Sequence, residues 1–114
     1  MIQLKRVYDP VSPDDGKRYL VERLWPRGVK KTALKIDAWL KDAAPSAALR
    51  HWFSHDPGKW EAFRRRYYAE LDANPGAWEL IRTEAGHGDV TLVYSSRDTE
   101  HNNALALRDY LRKK

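Results

Sequence analysis

The chain has 114 residues, 42% hydrophobic and 32% charged, with 21 Lys and Arg against 16 Asp and Glu for a formal net charge of +5. That balance fits one domain around one core and excludes a disordered tail. The absence of cysteine excludes disulfides and thiolate zinc sites, and no apolar run approaches the ~20 residues of a membrane span, so a cytoplasmic protein without membrane association is expected.

Residues 2–8, IQLKRVY, alternate apolar and polar and predict a strand. Asp9-Pro10 to Asp15-Gly16 is turn material, with two Pro, three Asp and one Gly. A second strand is expected over 18–24, centred on Tyr19, Leu20 and Val21, and a loop over 25–32. Ile36, Trp39 and Leu40 have i, i+3, i+4 spacing, which predicts a short helix or turn. Ser46 is placed to cap another through Leu49, Trp52 and Phe53. Asp56-Pro57 opens the strongest helix, with Trp60, Phe63, Tyr67 and Leu71 on one face. Asn74-Pro75-Gly76 breaks it, and Trp78, Ile81 and Ala85 continue as a further helix. Val90 to Tyr94 is a nearly continuous apolar run, the pattern of a strand covered on both faces. A polar loop from Ser95 to His101 leads into a last helix over 103–111.

The order β-β-α-α-α-β-α has the long helical crossover that parallel strands require. The predicted fold is α/β: a small, mostly parallel sheet of about three strands packed with helices, residues 1–114 forming one domain.

In such sheets ligands sit beyond the carboxyl ends of the strands. Three segments leave strands there: Tyr8-Asp9, Arg23 to Gly28, and Ser95 to Asn102. Arg23 and Arg27 are candidate bidentate donors to a phosphate or carboxylate. Trp25 offers a flat wall, Pro26 stiffens the backbone and Gly28 permits close approach to a ligand. Ser95, Ser96 and Arg97 add polar groups near the start of the last helix, where free N–H groups attract anions. Asp98 or Thr99 is expected as that helix's N-cap. His101 is the candidate general acid or base, since imidazole changes charge nearest neutral pH, with Asp9 or Asp98 to orient it.

Other constellations are weaker. His51 and His55 stand four apart, but no spacing supplies a third ligand, so no metal is expected. Neither a P-loop nor GxGxxG is present, and no cofactor is called for. Arg64-Arg65-Arg66 before Tyr67-Tyr68 is the densest basic run. It reads first as a solvated helix face and second, with Lys30 and Lys31, as a contact for nucleic acid. The expected partner is an anionic small molecule, phosphorylated or nucleotide-like, bound with or without acid/base catalysis. A non-catalytic nucleic-acid-binding or regulatory module is the alternative.

The runs RVYDP at 6–10, DDGKR at 14–18, LWPRG at 24–28, LRHWF at 49–53, HDP at 55–57 and TLVYSSRDTEHNNA at 91–104 resemble the domain-of-unknown-function family 488, in its short YeaO-like branch. The resemblance spans essentially the whole chain. Glu22 stands where the family often has Asp, and Arg97 where Lys is frequent; the second swap alters geometry while keeping charge. What the resemblance implies is a compact cytoplasmic α/β protein, with Arg23, Trp25, Arg27, Asp98, His101 and Asn102 as motif positions. Asn102 joins the ligand-binding set on that ground, and no reaction is implied.

Overall fold

The structure is a computed structural model describing residues 1–114. Four strands form one sheet: β1 (Ile2–Arg6), β2 (Lys17–Leu20), β3 (Ala38–Trp39) and β4 (Val90–Tyr94). Their spatial order is β1-β4-β2-β3, and every pair is parallel. Leu4, Leu92, Tyr19 and Ala38 stand in one row across the sheet. The helices are α1 (Ala47–Phe53), α2 (Trp60–Ala73), α3 (Glu79–Ala85) and α4 (Asn103–Arg112). The chain is thus α/β with an all-parallel sheet of four strands rather than three. No helix is long and apolar enough to cross a membrane.

The extra strand corrects the expectation of a helix at 36–40. Asp37 N–H donates to Arg18 O at 2.7 Å and Leu40 N–H to Leu20 O at 2.8 Å, so this backbone extends the sheet edge instead of coiling. Two strand residues are too few for a two-residue period to show against the i, i+3, i+4 spacing of Ile36, Trp39 and Leu40.

β4 is buried on both faces, as its apolar run requires. Val90, Leu92 and Tyr94 join Tyr19 and Val21 in a core roofed by all four helices, through Phe53, Phe63, Tyr67, Ile81 and Leu107 among others. Val93 points the other way, with Val7, Leu20 and Leu34, and is covered by Trp25, Val29, Ile36 and Trp39. That second layer contains no α-helix, only a 3-10 turn over Pro13–Asp15. It is built by two loops running back from carboxyl to amino ends of the sheet. The 7–16 loop is tied to β1 on its return, since Lys5 Nζ donates to Pro10 O and Gln3 Nε2 to Asp14 O, both at 2.8 Å. It ends on a buried Asp15 that pairs with Lys5 at 2.8 Å and Arg18 at 2.5 Å.

Helix starts follow local chemistry. Ser46 Oγ accepts from Leu49 N–H and caps α1. Asp56 caps a 3-10 turn over Pro57–Lys59 that feeds α2. The N-cap of α4 is Asn102, whose side chain accepts from Leu105 N–H at 2.8 Å, and not Asp98 or Thr99. Those residues belong to a preceding turn closed by the Asp98 carboxylate.

Candidate anion-binding site at the carboxyl edge

Because all strands run the same way, the segments after β1, β2 and β4 emerge at one edge. Glu22 fastens two of them together. Its Oε1 accepts from Ser95 N–H at 2.7 Å and from Ser95 Oγ at 3.0 Å. The Glu22 carbonyl is held from behind by Trp39 Nε1 at 2.7 Å, and Asn103 Nδ2 donates to Val21 O at 2.6 Å. Burial pushes the Glu22 carboxyl above its ordinary pKa, against the Ser95 bonds and the nearby Arg50 and His55. The sequence places Glu22 inside the expected 18–24 strand; β2 ends at Leu20, which frees Glu22 to reach Ser95 from the segment that follows.

The β1 segment joins the same edge. Arg6 Nε and Nη2 donate to the carbonyls of Ser96 and Ser95 at 2.9 and 3.3 Å. Tyr8 OH donates to Arg27 O at 3.3 Å. Asp9 closes its own turn, its carboxylate accepting from Arg6 N–H at 2.8 Å. Tyr94, the last residue of β4 and paired with Arg6 of β1, is buried at this edge. Burial raises its pKa, the Asp9 and Asp98 carboxylates add to that, and Arg6 opposes it.

In the third loop, Asp98 organises the backbone. One carboxylate oxygen accepts from the N–H groups of Glu100 and His101, and the other lies 2.9 Å from His101 Nδ1. Hydrogen bonds from the Glu100 N–H, then from His101, keep this carboxyl below the ordinary range despite partial desolvation. The His101 ring stands edge-on to Trp60 of α2, centroids 5.4 Å apart. Ser96 Oγ accepts from Asp98 N–H at 3.1 Å, and Asn102 Nδ2 donates to Asp98 O at 3.0 Å. Of Asp9 and Asp98, Asp98 is therefore the one that touches His101.

The predicted guanidiniums divide. Arg23 turns away from the Ser95–Asn102 loop. Its Nε and Nη2 donate to Pro45 O and Ala44 O at 3.0 and 3.2 Å, and Nη1 faces Asp42 at 3.8 Å. Arg27 and Arg97 are exposed, and neither guanidinium makes an internal hydrogen bond or ion pair. Trp25 faces the second core layer, its Nε1 donating to Val29 O at 2.6 Å and its ring edge-on to Trp39, centroids 5.2 Å apart. Gly28 has φ of +74° with open space where a Cβ would stand, so the residue serves a left-handed turn.

One hollow of about 330 Å³ lies beside Arg23, and another of about 320 Å³ lies next to it across Asp42. The first is lined by Arg23, Asp42, Ser46, Glu70 and Asn74 among others, and the second by Trp39, Lys41 and Gly76 among others. His51 ends inside α1 while Ser54 and His55 both take left-handed backbone, so the two imidazoles do not share a helical face.

A family model described as "Inactive DUF488-N3 subclade" matches residues 1–114. The chain belongs to this family. Among curated proteins it is 45% identical over 111 residues to the uncharacterized protein YeaO of Escherichia coli (strain K12), covering 97% of this chain and 96% of the relative. It is 38% identical over 110 residues to the uncharacterized protein Mb3100c of Mycobacterium bovis and to the uncharacterized protein Rv3073c of Mycobacterium tuberculosis, covering 96% of this chain and 92% of each relative. No solved structure matches. The DUF488-N3 chain thus combines an edge made of three strand ends with two unpaired guanidiniums and one oriented imidazole.

Proposed function

We propose that this protein is a non-catalytic binder of a small phosphorylated or nucleotide-like anion at the carboxyl edge of its sheet. The observation that carries this reading is the Glu22–Ser95 fastening, which holds the β2 and β4 loops on one edge while Arg27 and Arg97 keep their donors free. Guanidiniums without internal carboxylates give bidentate recognition of phosphate without first breaking an ion pair. His101 serves here as a hydrogen-bond donor held in place by Asp98. Asp98 with His101 is also the pairing an acid/base catalyst needs. The family description as inactive, together with Arg23 being engaged by carbonyls and Asp42, favours binding over turnover.

A thermal-shift titration with inorganic phosphate, pyrophosphate and a nucleoside monophosphate tests it. At least one is expected to raise the melting temperature of the wild type, with Arg27→Gln and Arg97→Gln each weakening the effect about tenfold, the loss of one charge-assisted contact. Equal shifts in wild type and both variants would remove the edge as the site.

A further inference from the structure

The flank of α2 that faces α1 carries positive charge that nothing inside the protein neutralises. Trp52 lies at its centre, with Lys59 Nζ 5.0 Å and the Arg66 guanidinium 4.1 Å from the ring centroid. Lys59 is also fixed by a 2.9 Å hydrogen bond to Trp52 O. Lys59 is the residue before α2 and Arg66 stands seven residues on, about two turns along, and both reach the same Trp52 ring. The neighbouring carboxylates are engaged elsewhere. Asp56 caps Gly58 N–H, Glu61 pairs with Arg64, and Glu70 accepts from both Ser46 N–H and Oγ.

Indole donors point the same way. Trp25, Trp39 and Trp78 each give Nε1–H to a backbone carbonyl, whereas Trp52 and Trp60, at the α1–α2 junction, give theirs to no protein acceptor. A free N–H beside two positioned cations suits a partner rich in acceptor oxygens. The large apolar side chains that are exposed, Met1, Tyr8, Val11, Leu24 and Leu80, all lie off this flank, so it lacks the apolar wedge that seats a helix in a lipid surface.

We propose that the flank formed by Trp52, Lys59 and Arg66 binds the phosphate backbone of nucleic acid without reading its bases. Two cations already occupy the space over the Trp52 ring, so the ring acts as their platform and not as a stacking surface for a base. Binding is therefore electrostatic, independent of base sequence and steep in salt. It uses none of the carboxyl-edge residues and stands apart from the proposed small-anion site.

Fluorescence anisotropy with a labelled 20-base-pair duplex, in low and in physiological salt, tests this. The wild type is expected to bind at low salt and to treat duplexes of unrelated sequence alike. Lys59→Gln/Arg66→Gln is expected to bind at least about tenfold more weakly, with a salt slope shallower by about 1.8, at about 0.9 per lost phosphate contact. Arg66→Gln alone, which leaves the Lys59 tether intact, is expected to show part of that loss with an unchanged thermal melt. Arg27→Gln/Arg97→Gln and Lys30→Gln/Lys31→Gln are expected to bind as the wild type does. No binding at low salt, an equal loss in the Lys30/Lys31 control, or binding to phosphatidylserine vesicles in place of the duplex would overturn the assignment.

Discussion

The carboxylate of Glu22 and the backbone N–H of Ser95 meet at 2.7 Å, and this contact joins two loops 73 residues apart in the chain. Glu22→Ala leaves the Ser95 N–H and hydroxyl without their acceptor at a partly buried site. It is expected to cost about 1–3 kcal/mol. Glu22→Gln keeps an acceptor oxygen and removes the buried charge. Because burial raises the Glu22 pKa above its ordinary 4.5, its contribution to stability is fully present below that value and is lost as pH rises through the folded-state value. The melting temperature of Glu22→Gln is therefore expected to exceed that of the wild type at pH 7–8, and the gap to close below about pH 4. Paired thermal melts across that range check both statements.

Two glycines with positive φ separate strain from space. Gly16 has φ of +63°, and a Cβ there would stand 1.9 Å from Asp89 O. Gly28 has φ of +74° with nothing within 4 Å. Gly28→Ala is expected to cost about 1 kcal/mol from conformation alone. Gly16→Ala is expected to cost clearly more, because the 16–17 turn and the backbone at Asp89 must move apart. Denaturant midpoints with unchanged m-values would express the difference.

At the amino end of the sheet, Asp15 neutralises two cations in a buried setting. Burial opposes its charge, but hydrogen bonds from Lys5, the Ser12 amide and Arg18 outweigh that and hold the carboxyl below its ordinary 3.8. Its contribution is present above that value and is lost as pH falls through the lower, folded-state one. Asp15→Ala strands the buried Arg18 guanidinium and is expected to cost about 3–5 kcal/mol at neutral pH. An acid titration should show the variant's deficit shrinking below pH 3.8.

Long, strongly patterned elements were legible in the sequence. The apolar run 90–94 is the doubly buried central strand, and the Phe63, Tyr67, Leu71 stripe is the buried face of α2. β3 was not legible, because two residues pairing with an edge strand leave no period to read. The placement of Arg27, Arg97 and the Asp98–His101 pair at the carboxyl edge follows from parallel pairing and could be anticipated. That Arg23 would turn to the carbonyls of Ala44 and Pro45 could not, since those acceptors lie more than 20 residues on and belong to a turn before α1. Trp25 likewise looks like a site wall next to Arg27, and it covers a sheet face that no α-helix reaches.

Arg27 and Arg97 are exposed and unpaired, so replacing either with Gln is expected to change stability by no more than about 0.5 kcal/mol. An unchanged melt without ligand would separate their role from any structural one.

The most direct measurement is an NMR titration of the isotope-labelled protein with pyrophosphate, following the backbone amides. Saturable shifts are predicted at Arg27, Gly28 and residues 95–101, abolished in the Arg27→Gln/Arg97→Gln protein while its spectrum stays folded. Saturable shifts confined to the hollow beside Arg23, Asp42 and Glu70, or no saturable shift with pyrophosphate or a nucleoside monophosphate, would contradict a small-anion site at the carboxyl edge.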